Sequence, residues 1–277
     1  MSNTTTRLRE VFVESDTESA KRFDAAIGSV MAMCRRCPGK IEPNDDSAAV
    51  IESADESIVL VVADGVGGCP LGYKASSIAV HSVAEFVDAA EPGTDLRPAI
   101  LDAIESANRE ILDLGIGAAT TISVVEISRE SQTGSRRARV YNVGDCMTMV
   151  VGQRGALKWK STPHSPVGYA VESGLMDESE AMSHDERHIV SNLVGSPTMH
   201  IEVGPTIPLA ARDTIVVASD GLFDNAHINE VVDLSRCGQL EKRMSALAQL
   251  ATDRMHGSDE VVTGKPDDLT MLLFAAS

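Results

Sequence analysis

The stretch SIVLVVADGVGG, residues 57–68, joins a run of apolar residues to an aspartate and a glycine-rich end. Residues 57–63 are almost all apolar and mostly β-branched, and a short run of this kind bounded by turn residues predicts a buried strand rather than a helix. Asp64 and Gly65 follow where that strand should end. Taken alone, an Asp-Gly pair indicates a tight turn. The stretch therefore predicts a buried strand that ends at a carboxylate.

The same arrangement recurs elsewhere, since apolar runs also adjoin Asp46, Asp145, Asp220 and Asp267. Each aspartate taken singly is read more simply as a turn residue. Strand ends can converge at one rim of a sheet, however, and carboxylates gathered there would repel one another unless cations lay between them. Magnesium and manganese prefer oxygen ligands, and the glycine after Asp64 would let a backbone carbonyl approach a metal. The pattern therefore favours two metals that activate a bridging water for in-line attack on phosphorus.

The remaining apolar runs predict the fold class. Further strands are expected at Thr120–Ile127, Ala138–Val143, Met147–Val151, Thr214–Ala218 and Leu269–Ala275. Helical periodicity predicts helices over Tyr73–Ala90, Leu96–Leu114 and Gln239–Met255. Because the strands come in adjacent runs and do not alternate with helices, the sequence predicts an α+β fold with antiparallel sheets. Residues 1–20 are polar and are expected to form a loose N-terminal arm, followed by one domain over residues 21–277.

Composition narrows the classes of function. The chain has 277 residues and a net charge of −17, which argues against a nucleic-acid partner because phosphate backbones attract basic surfaces. No apolar run is long enough to span a membrane, so no membrane partner is expected. Five cysteines, an odd number without a secretion signal, predict a cytoplasmic protein. Cys34 and Cys37 have the spacing of a zinc ligand pair, but no second pair follows, so a zinc site there is not favoured.

Six motifs appear in an order that resembles the metal-dependent protein phosphatase family (PPM, type 2C), in its bacterial form. The motifs are Asn44-Asp45-Asp46, residues 62–68 with Gly72 and Ala75-Ser76, residues 118–121, residues 141–145, residues 218–224, and residues 267–270. The resemblance covers about residues 24–274. It implies a four-layer α-β-β-α sandwich with two central antiparallel sheets. It also implies hydrolysis of phosphoserine and phosphothreonine in proteins by direct attack of a metal-bridging water, with two Mn²⁺ or Mg²⁺ ions as cofactors.

The resemblance also implies roles for individual residues. Six would contact metal: Asp46, Asp64, Gly65, Asp220, Asp267 and Asp145. Asp64 would bridge both ions, and Gly65 would lend its carbonyl oxygen. Asp220 and Asp267 would complete the shell of one ion. Asp46 would act at the metal pair or just behind it, mostly through water, so that the reaction depends on Asp46, Asp64 and Asp220.

Further features follow from the same resemblance. Asp145 would help Asp220 bind a third, weaker metal ion, and Asp268 would lie behind the ligands. Residues 171–195 resemble the flap of bacterial members, a surface helix and loop of the kind that tunes substrate access. The partner would be a phosphorylated protein, with a kinase or a transcription regulator as the class suggested by the family.

Several positions depart from the family pattern. Ile41 stands where the family has an arginine that clamps the substrate phosphate. Lys40 and Arg36 are the candidates to replace it, although a lysine cannot hold phosphate in the bidentate way of an arginine. Losing one charged hydrogen bond would cost roughly 1.5–3 kcal/mol of phosphate binding. Cys146 replaces the serine of the motif at residues 144–147 and is expected to be a small buried residue.

Two alternatives to a protein phosphatase stay open at this point. The first is a catalytically weak module on the same fold that binds phosphoproteins in signalling, and the missing arginine motivates it. The second is a hydrolase of small phosphate compounds.

Three histidines, His164, His184 and His188, are each expected at the surface, although one of them could act as a general acid toward the leaving alkoxide.

Overall fold

The strand Asp46–Glu52 buries side chains on both of its faces. The computed structural model describes residues 7–130, 133–257 and 264–276. In this strand Ala48 and Val50 face one way and Ala49 and Ile51 face the other, and all four are fully buried. Because successive side chains of a strand point to opposite faces, a further layer must cover each side of such a sheet.

Within the described residues the chain forms thirteen strands and seven helices. The strands are β1 (Arg9–Phe12), β2 (Lys21–Ala25), β3 (Gly28–Arg35), β4 (Asp46–Glu52), β5 (Ile58–Asp64), β6 (Ile122–Arg129), β7 (Arg136–Val143), β8 (Met147–Val151), β9 (Leu157–Lys160), β10 (Glu202–Val203), β11 (Ile207–Leu209), β12 (Thr214–Ala218) and β13 (Leu269–Ala276). The helices are α1 (Gly72–Ala89), α2 (Leu96–Asp113), α3 (Pro166–Glu172), α4 (Glu178–Met182), α5 (Asp220–Phe223), α6 (Ile228–Ser235) and α7 (Leu240–Met255).

The strands form two sheets. The first has the order β1-β4-β5-β6-β7-β10, with β11 also paired to β7, and the second has the order β2-β3-β13-β12-β8-β9. All of these strand pairs are antiparallel. The prediction of two antiparallel sheets is therefore confirmed.

Three apolar cores separate four layers. Between the sheets, Val50 and Leu60 belong to the same core as Leu272 and Phe274 of the second sheet. The outer face of the first sheet packs on α1 and α2, and the outer face of the second sheet packs on α5, α6 and α7. The chain is thus the predicted α-β-β-α sandwich, and its three predicted helices begin and end within one residue of the observed bounds.

The N-terminal region differs from the prediction. The loose arm expected over residues 1–20 is wrong for Arg9–Phe12, which form β1 and pair with β4 at the edge of the first sheet. Phe12 is 2% exposed and packs in the core between the sheets. An edge strand is paired on one side only and needs few apolar residues, so the polar composition of residues 1–20 did not indicate β1.

In the described part of the chain, no helix is both long enough and apolar enough to cross a membrane.

The fold brings the strand-end aspartates to one rim. Asp46 begins β4 and Asp64 ends β5, and the two residues lie opposite each other in the register of that pair. In the second sheet, the pairing of β12 with β8 and β13 brings the ends that adjoin Asp145, Asp220 and Asp267 to the same side. Five carboxylates from distant parts of the sequence therefore meet where the two sheets end.

Candidate metal centre

Asp46 is fixed between the two sheets at the back of this rim. Its side chain is 1% exposed and accepts a hydrogen bond from Ser219 Oγ at 2.8 Å, which joins the first sheet to the second. The backbone N–H of Asp46 donates to Asn44 Oδ1 at 2.9 Å. The side-chain amide of Asn44 in turn donates to the Ser15 carbonyl at 2.7 Å. Asp46 therefore lies behind the open part of the site.

Asp64 and Gly65 lie at the open side of the rim. The Asp64 carbonyl accepts from Thr121 N at 2.8 Å and from Thr120 Oγ1 at 2.7 Å, which fixes the end of β5. A Cβ on Gly65 would come within 2.3 Å of the backbone carbonyl of Gly72, so only glycine allows α1 to begin this close to the strand end. The Asp-Gly pair therefore has a packing reason in addition to any role in binding metal.

A lysine lies among the carboxylates of the second sheet. Lys265 Nζ is 2.5 Å from Asp220 Oδ2, 2.9 Å from Asp224 Oδ2 and 3.1 Å from Asp267 Oδ2. Neither Asp224 nor Lys265 was named among the candidate ligands from the sequence. Asp224 follows Asp220 by four residues across the turn of α5. Residues spaced by four lie on one face of a helix, so this spacing could have indicated that the two carboxylates lie close together.

One pocket connects these groups. It has a volume of about 280 Å³, and its walls consist of Asp45, Asp64, Gly65, Val66, Gly67, Thr121, Asp145, His188, Val190, Asp220, Lys265 and Asp267. Five of the six residues predicted to contact metal line it, and Asp46 is the exception. The structure therefore brings the predicted ligands of both sheets to a single cavity.

Burial and mutual repulsion disfavour the charged forms of these carboxyls. Burial, followed by the charge of Asp268, raises the pKa of Asp46 well above its usual range, and burial together with the charge of Asp46 does the same for Asp64. Burial, with the charges of Asp220 and Asp224, raises the pKa of Asp145 to about 8. A cation bound beside such buried, clustered carboxyl groups would stabilise their charged form.

The pKa values of the carboxyls beside Lys265 follow the same rule. Burial and the charge of Asp220 raise the pKa of Asp224 and of Asp267 to about 6, although Lys265 opposes both shifts. Burial alone would lower the pKa of Lys265, but the charges of Asp220, Asp224 and Asp267 raise it above its ordinary value. The lysine therefore stays charged and serves as the cation of this cluster.

The donor set fits hard divalent cations, but the side chains do not form a finished cage. Carboxylate and carbonyl oxygens are the ligands that Mg²⁺ and Mn²⁺ prefer. The buried Oδ1 of Asp220 has no hydrogen-bond partner, as expected of an oxygen kept for a cation. Among the residues described, however, no three His, Cys, Asp or Glu side chains are already arranged to hold a metal ion. Metal binding would therefore require side chains at this rim to move.

The two residues predicted to bind phosphate are paired elsewhere. Lys40 Nζ lies 2.6 Å from Asp45 Oδ2 and 2.5 Å from Asp268 Oδ2, and Arg36 Nη2 lies 2.9 Å from Asp16 Oδ2. Neither Lys40 nor Arg36 lines the pocket. The structure thus gives no support to either residue as the phosphate clamp.

Asp268 has a supporting contact of the kind expected from the sequence. It is 3% exposed, and its Oδ1 accepts from Cys37 N at 2.7 Å while its Oδ2 accepts from Asp45 N at 2.7 Å. It therefore holds the loop before β4 against β13. Asp45 accepts from Tyr73 N at 2.8 Å, near the first turn of α1, which is a structural contact.

The histidines divide into two groups. His164 is 1% exposed, so its predicted surface position is wrong. Its Nδ1 accepts from Gly144 N at 3.1 Å and its Nε2 lies 2.8 Å from Glu202 Oε2, so it braces the turn that carries Asp145. A polar side chain is seldom fully buried unless it has hydrogen-bond partners. The partners of His164 are distant in sequence, so the sequence did not indicate its burial. His188, in contrast, is exposed and lines the pocket.

The segment predicted as a flap forms part of a second pocket beside the first. This pocket has a volume of about 240 Å³ and shares Asp145 and Asp220 with the pocket of the metal centre. Its walls include Val171 near the end of α3, Met182 at the end of α4 and Arg187 beyond it. A mostly apolar cavity therefore adjoins the carboxylates on the side of residues 171–195.

Comparison with known proteins relates the chain to a family of phosphatases. Residues 37–256 match the family model described as protein phosphatase 2C. A relative from Listeria welshimeri, named serine/threonine phosphatase stp, is 26% identical over 243 residues, which are 83% of this chain and 89% of the relative. The PPM Ser-Thr phosphatase MsPP of Mycobacterium smegmatis, solved with cacodylate, has a TM-score of 0.72 at 25% identity and covers 91% of this chain and 100% of its own.

A further solved structure is the catalytic domain of serine threonine protein phosphatase PstP, described in complex with two manganese ions. It has a TM-score of 0.68 at 19% identity and covers 89% of this chain and 96% of its own. At that identity the likeness concerns the fold. The family match, which covers most of the chain, carries the assignment: the chain belongs to the protein phosphatase 2C family.

Proposed function

We propose that the chain is a metal-dependent phosphatase that hydrolyses phosphoserine and phosphothreonine in proteins. The observation that carries the proposal is the pocket in which Asp64, Gly65, Asp145, Asp220 and Asp267 meet from two sheets. Relatives that share the family are named serine/threonine phosphatases, which supports the same class of substrate here.

The chemistry that two Mn²⁺ or Mg²⁺ ions would supply at this pocket is a Lewis acid and an activated bridging water for direct in-line attack on phosphorus. The manganese ions of the PstP structure support this choice of cofactor. Asp64 would bridge the two positions, with the carbonyl of Gly65 beside it. Asp220 and Asp267 would hold one of them, and Asp145 would join Asp220 at a third, weaker position.

Other residues of the chain would orient the reactants. Asp46, which Ser219 holds behind the pocket, would accept hydrogen bonds from water at the rim. His188 is the histidine that lines the pocket, and it would give a proton to the leaving serine or threonine oxygen. The adjoining apolar pocket could take a side chain next to the phosphorylated residue, which favours a protein substrate over a small phosphate compound. A phosphorylated kinase or transcription regulator is the kind of partner we expect.

The alternative is a catalytically weak module that binds phosphoproteins. Two observations favour it: Ile41, in place of the expected arginine, is 88% exposed, and Lys40 and Arg36 are occupied by carboxylates. Such a module would bind metal and a phosphopeptide without turnover. The meeting of four of the five expected acidic ligands in one pocket makes the active phosphatase the better supported of the two.

The test is hydrolysis of p-nitrophenyl phosphate and of a phosphothreonine peptide, with Mn²⁺ and with EDTA. We expect turnover that EDTA abolishes, and a loss of at least about 100-fold in Asp220→Asn because a ligand is removed. Asp102→Asn, at an exposed position of α2, is the matched control and should behave as the unmodified chain. Full activity of Asp220→Asn would contradict the assignment, and metal binding without turnover would favour the binding module.

A further inference from the structure

The position of Lys265 among the acidic ligands has a consequence for metal binding. An ammonium group has three N–H donors, and three carboxylates lie within 3.1 Å of Lys265 Nζ. Two of them, Asp220 and Asp267, belong to the set expected to hold one metal ion. The ammonium group thus lies where the ligand oxygens of that ion converge.

The backbone of Lys265 is fixed, while its side chain lies along the wall of the pocket. Asn225, which is fully buried, accepts from Lys265 N at 2.9 Å and donates to the Lys265 carbonyl at 2.8 Å. The Asn225 carbonyl accepts in turn from Arg254 Nη1 at 2.9 Å. The Lys265 side chain is 23% exposed and forms part of the pocket wall, so it can leave the carboxylates without movement of the backbone.

An ammonium group and a divalent cation cannot share these oxygens. Their charges repel strongly at such short distances in a partly buried site. A metal ion also needs oxygen lone pairs of Asp220, and Lys265 Nζ now donates a hydrogen bond to Asp220 Oδ2. Lys265 thus contacts this cluster in a structure whose described residues hold no three His, Cys, Asp or Glu side chains arranged for a metal ion.

We propose that Lys265 is a built-in competitor of the metal ion that Asp220 and Asp267 would hold. In the metal-free chain its ammonium group neutralises Asp220, Asp224 and Asp267, and binding of the ion displaces it toward the pocket. This inference rests on the proposed function only in taking these carboxylates as metal ligands.

Two effects follow from that competition. The ammonium group of Lys265 stabilises the metal-free chain because it neutralises the clustered carboxylates. Removing it would leave uncompensated charge in a partly buried site. The affinity for the metal is lowered, since part of the binding free energy is used to displace the lysine. The metal position formed by Asp220 and Asp267 therefore fills at a higher metal concentration than it would if only the carboxylates were present.

The test measures Mn²⁺ binding by calorimetry to the full metal-free chain and to Lys265→Met, a substitution that keeps the length of the side chain and removes its charge. We expect a dissociation constant at least tenfold lower in Lys265→Met, and a thermal midpoint of the metal-free variant lower by about 2–4 °C. Lys265→Arg should stay close to the unmodified chain because it keeps the positive charge.

Lys158→Met is the matched control, because Lys158 Nζ lies 2.5 Å from the buried Asp213 near the Val151 end of β8, the end away from the rim. It should lower the thermal midpoint and leave Mn²⁺ affinity unchanged. Equal or weaker Mn²⁺ binding by Lys265→Met would overturn the inference while leaving the proposed phosphatase intact. Absence of Mn²⁺ binding in both proteins would overturn the inference and the metal-dependent function together.

Discussion

Lys40 and Lys265 illustrate how single charged residues organise the acidic rim. Each ammonium group contacts more than one carboxylate, and each is less than one quarter exposed. Lys40 holds Asp45 and Asp268, which position the loop before β4, whereas Lys265 contacts residues expected to bind metal. The two lysines therefore have different tasks, one in stability and one in the metal centre.

The stability role of Lys40 can be measured directly. In Lys40→Met, Asp268 would keep its two backbone donors but lose its charged partner while 3% exposed. We expect the free energy of unfolding to fall by about 2–4 kcal/mol, since removing one partner leaves a buried charge uncompensated. Urea unfolding of the metal-free chain gives this value.

The control for this prediction is Lys21→Met. Lys21 pairs with Glu10 at 3.0 Å at the surface, where the side chains are 54% and 35% exposed. An exposed pair of this kind contributes about 0–1 kcal/mol. Equal losses in the two variants would show that Lys40 is an ordinary surface lysine.

The short helix α5 sets the distance between two of the expected ligands. It begins at Asp220 immediately after β12, and its second residue, Gly221, lies against the start of β13. A Cβ on Gly221 would stand 1.9 Å from the backbone carbonyl oxygen of Asp268. The helix can therefore approach the residue after Asp267 only because position 221 lacks a side chain.

Gly221→Ala should separate α5 from β13. We expect a loss of about 1–3 kcal/mol in the free energy of unfolding, because the backbone must shift to accept the methyl group. Mn²⁺ binding should weaken as well, since Asp220 moves relative to Asp267. Chemical unfolding and calorimetry measure the two effects.

Gly67→Ala is the companion variant. A Cβ there meets nothing within 4 Å, so stability should change by no more than about 0.5 kcal/mol. If Gly221→Ala were as stable as Gly67→Ala, the close packing of α5 on β13 would not limit the geometry of the rim.

At the scale of the whole molecule, the fold places the ends of two sheets together, and part of this could be predicted. Asp64 follows a strongly apolar run, so its position at the end of a strand could be predicted from the local sequence. Gly28–Arg35 was not predicted as a strand, because its Met, Ala and Cys residues lack the β-branched signal. β1 was missed because its exposed side is polar.

The site was less predictable than the fold. The family followed from ordered motifs, and so did the expectation of which residues bind metal. Lys265, in contrast, reaches Asp220 across 45 positions of sequence, and only the pairing of β12 with β13 reveals that contact. Likewise, the contact of Lys40 with Asp268 spans 228 positions. Side-chain pairing across such separations depends on tertiary structure, which local pattern does not encode.

The most direct test of a two-metal centre at the acidic rim is anomalous diffraction from crystals of the full chain grown with Mn²⁺. We predict two manganese peaks in the pocket, bridged by Asp64, with Asp220 and Asp267 on one of them and Lys265 withdrawn from both. Crystals of Asp220→Asn should lose at least one peak. A pocket without manganese at millimolar metal, or manganese bound away from these aspartates, would contradict the account.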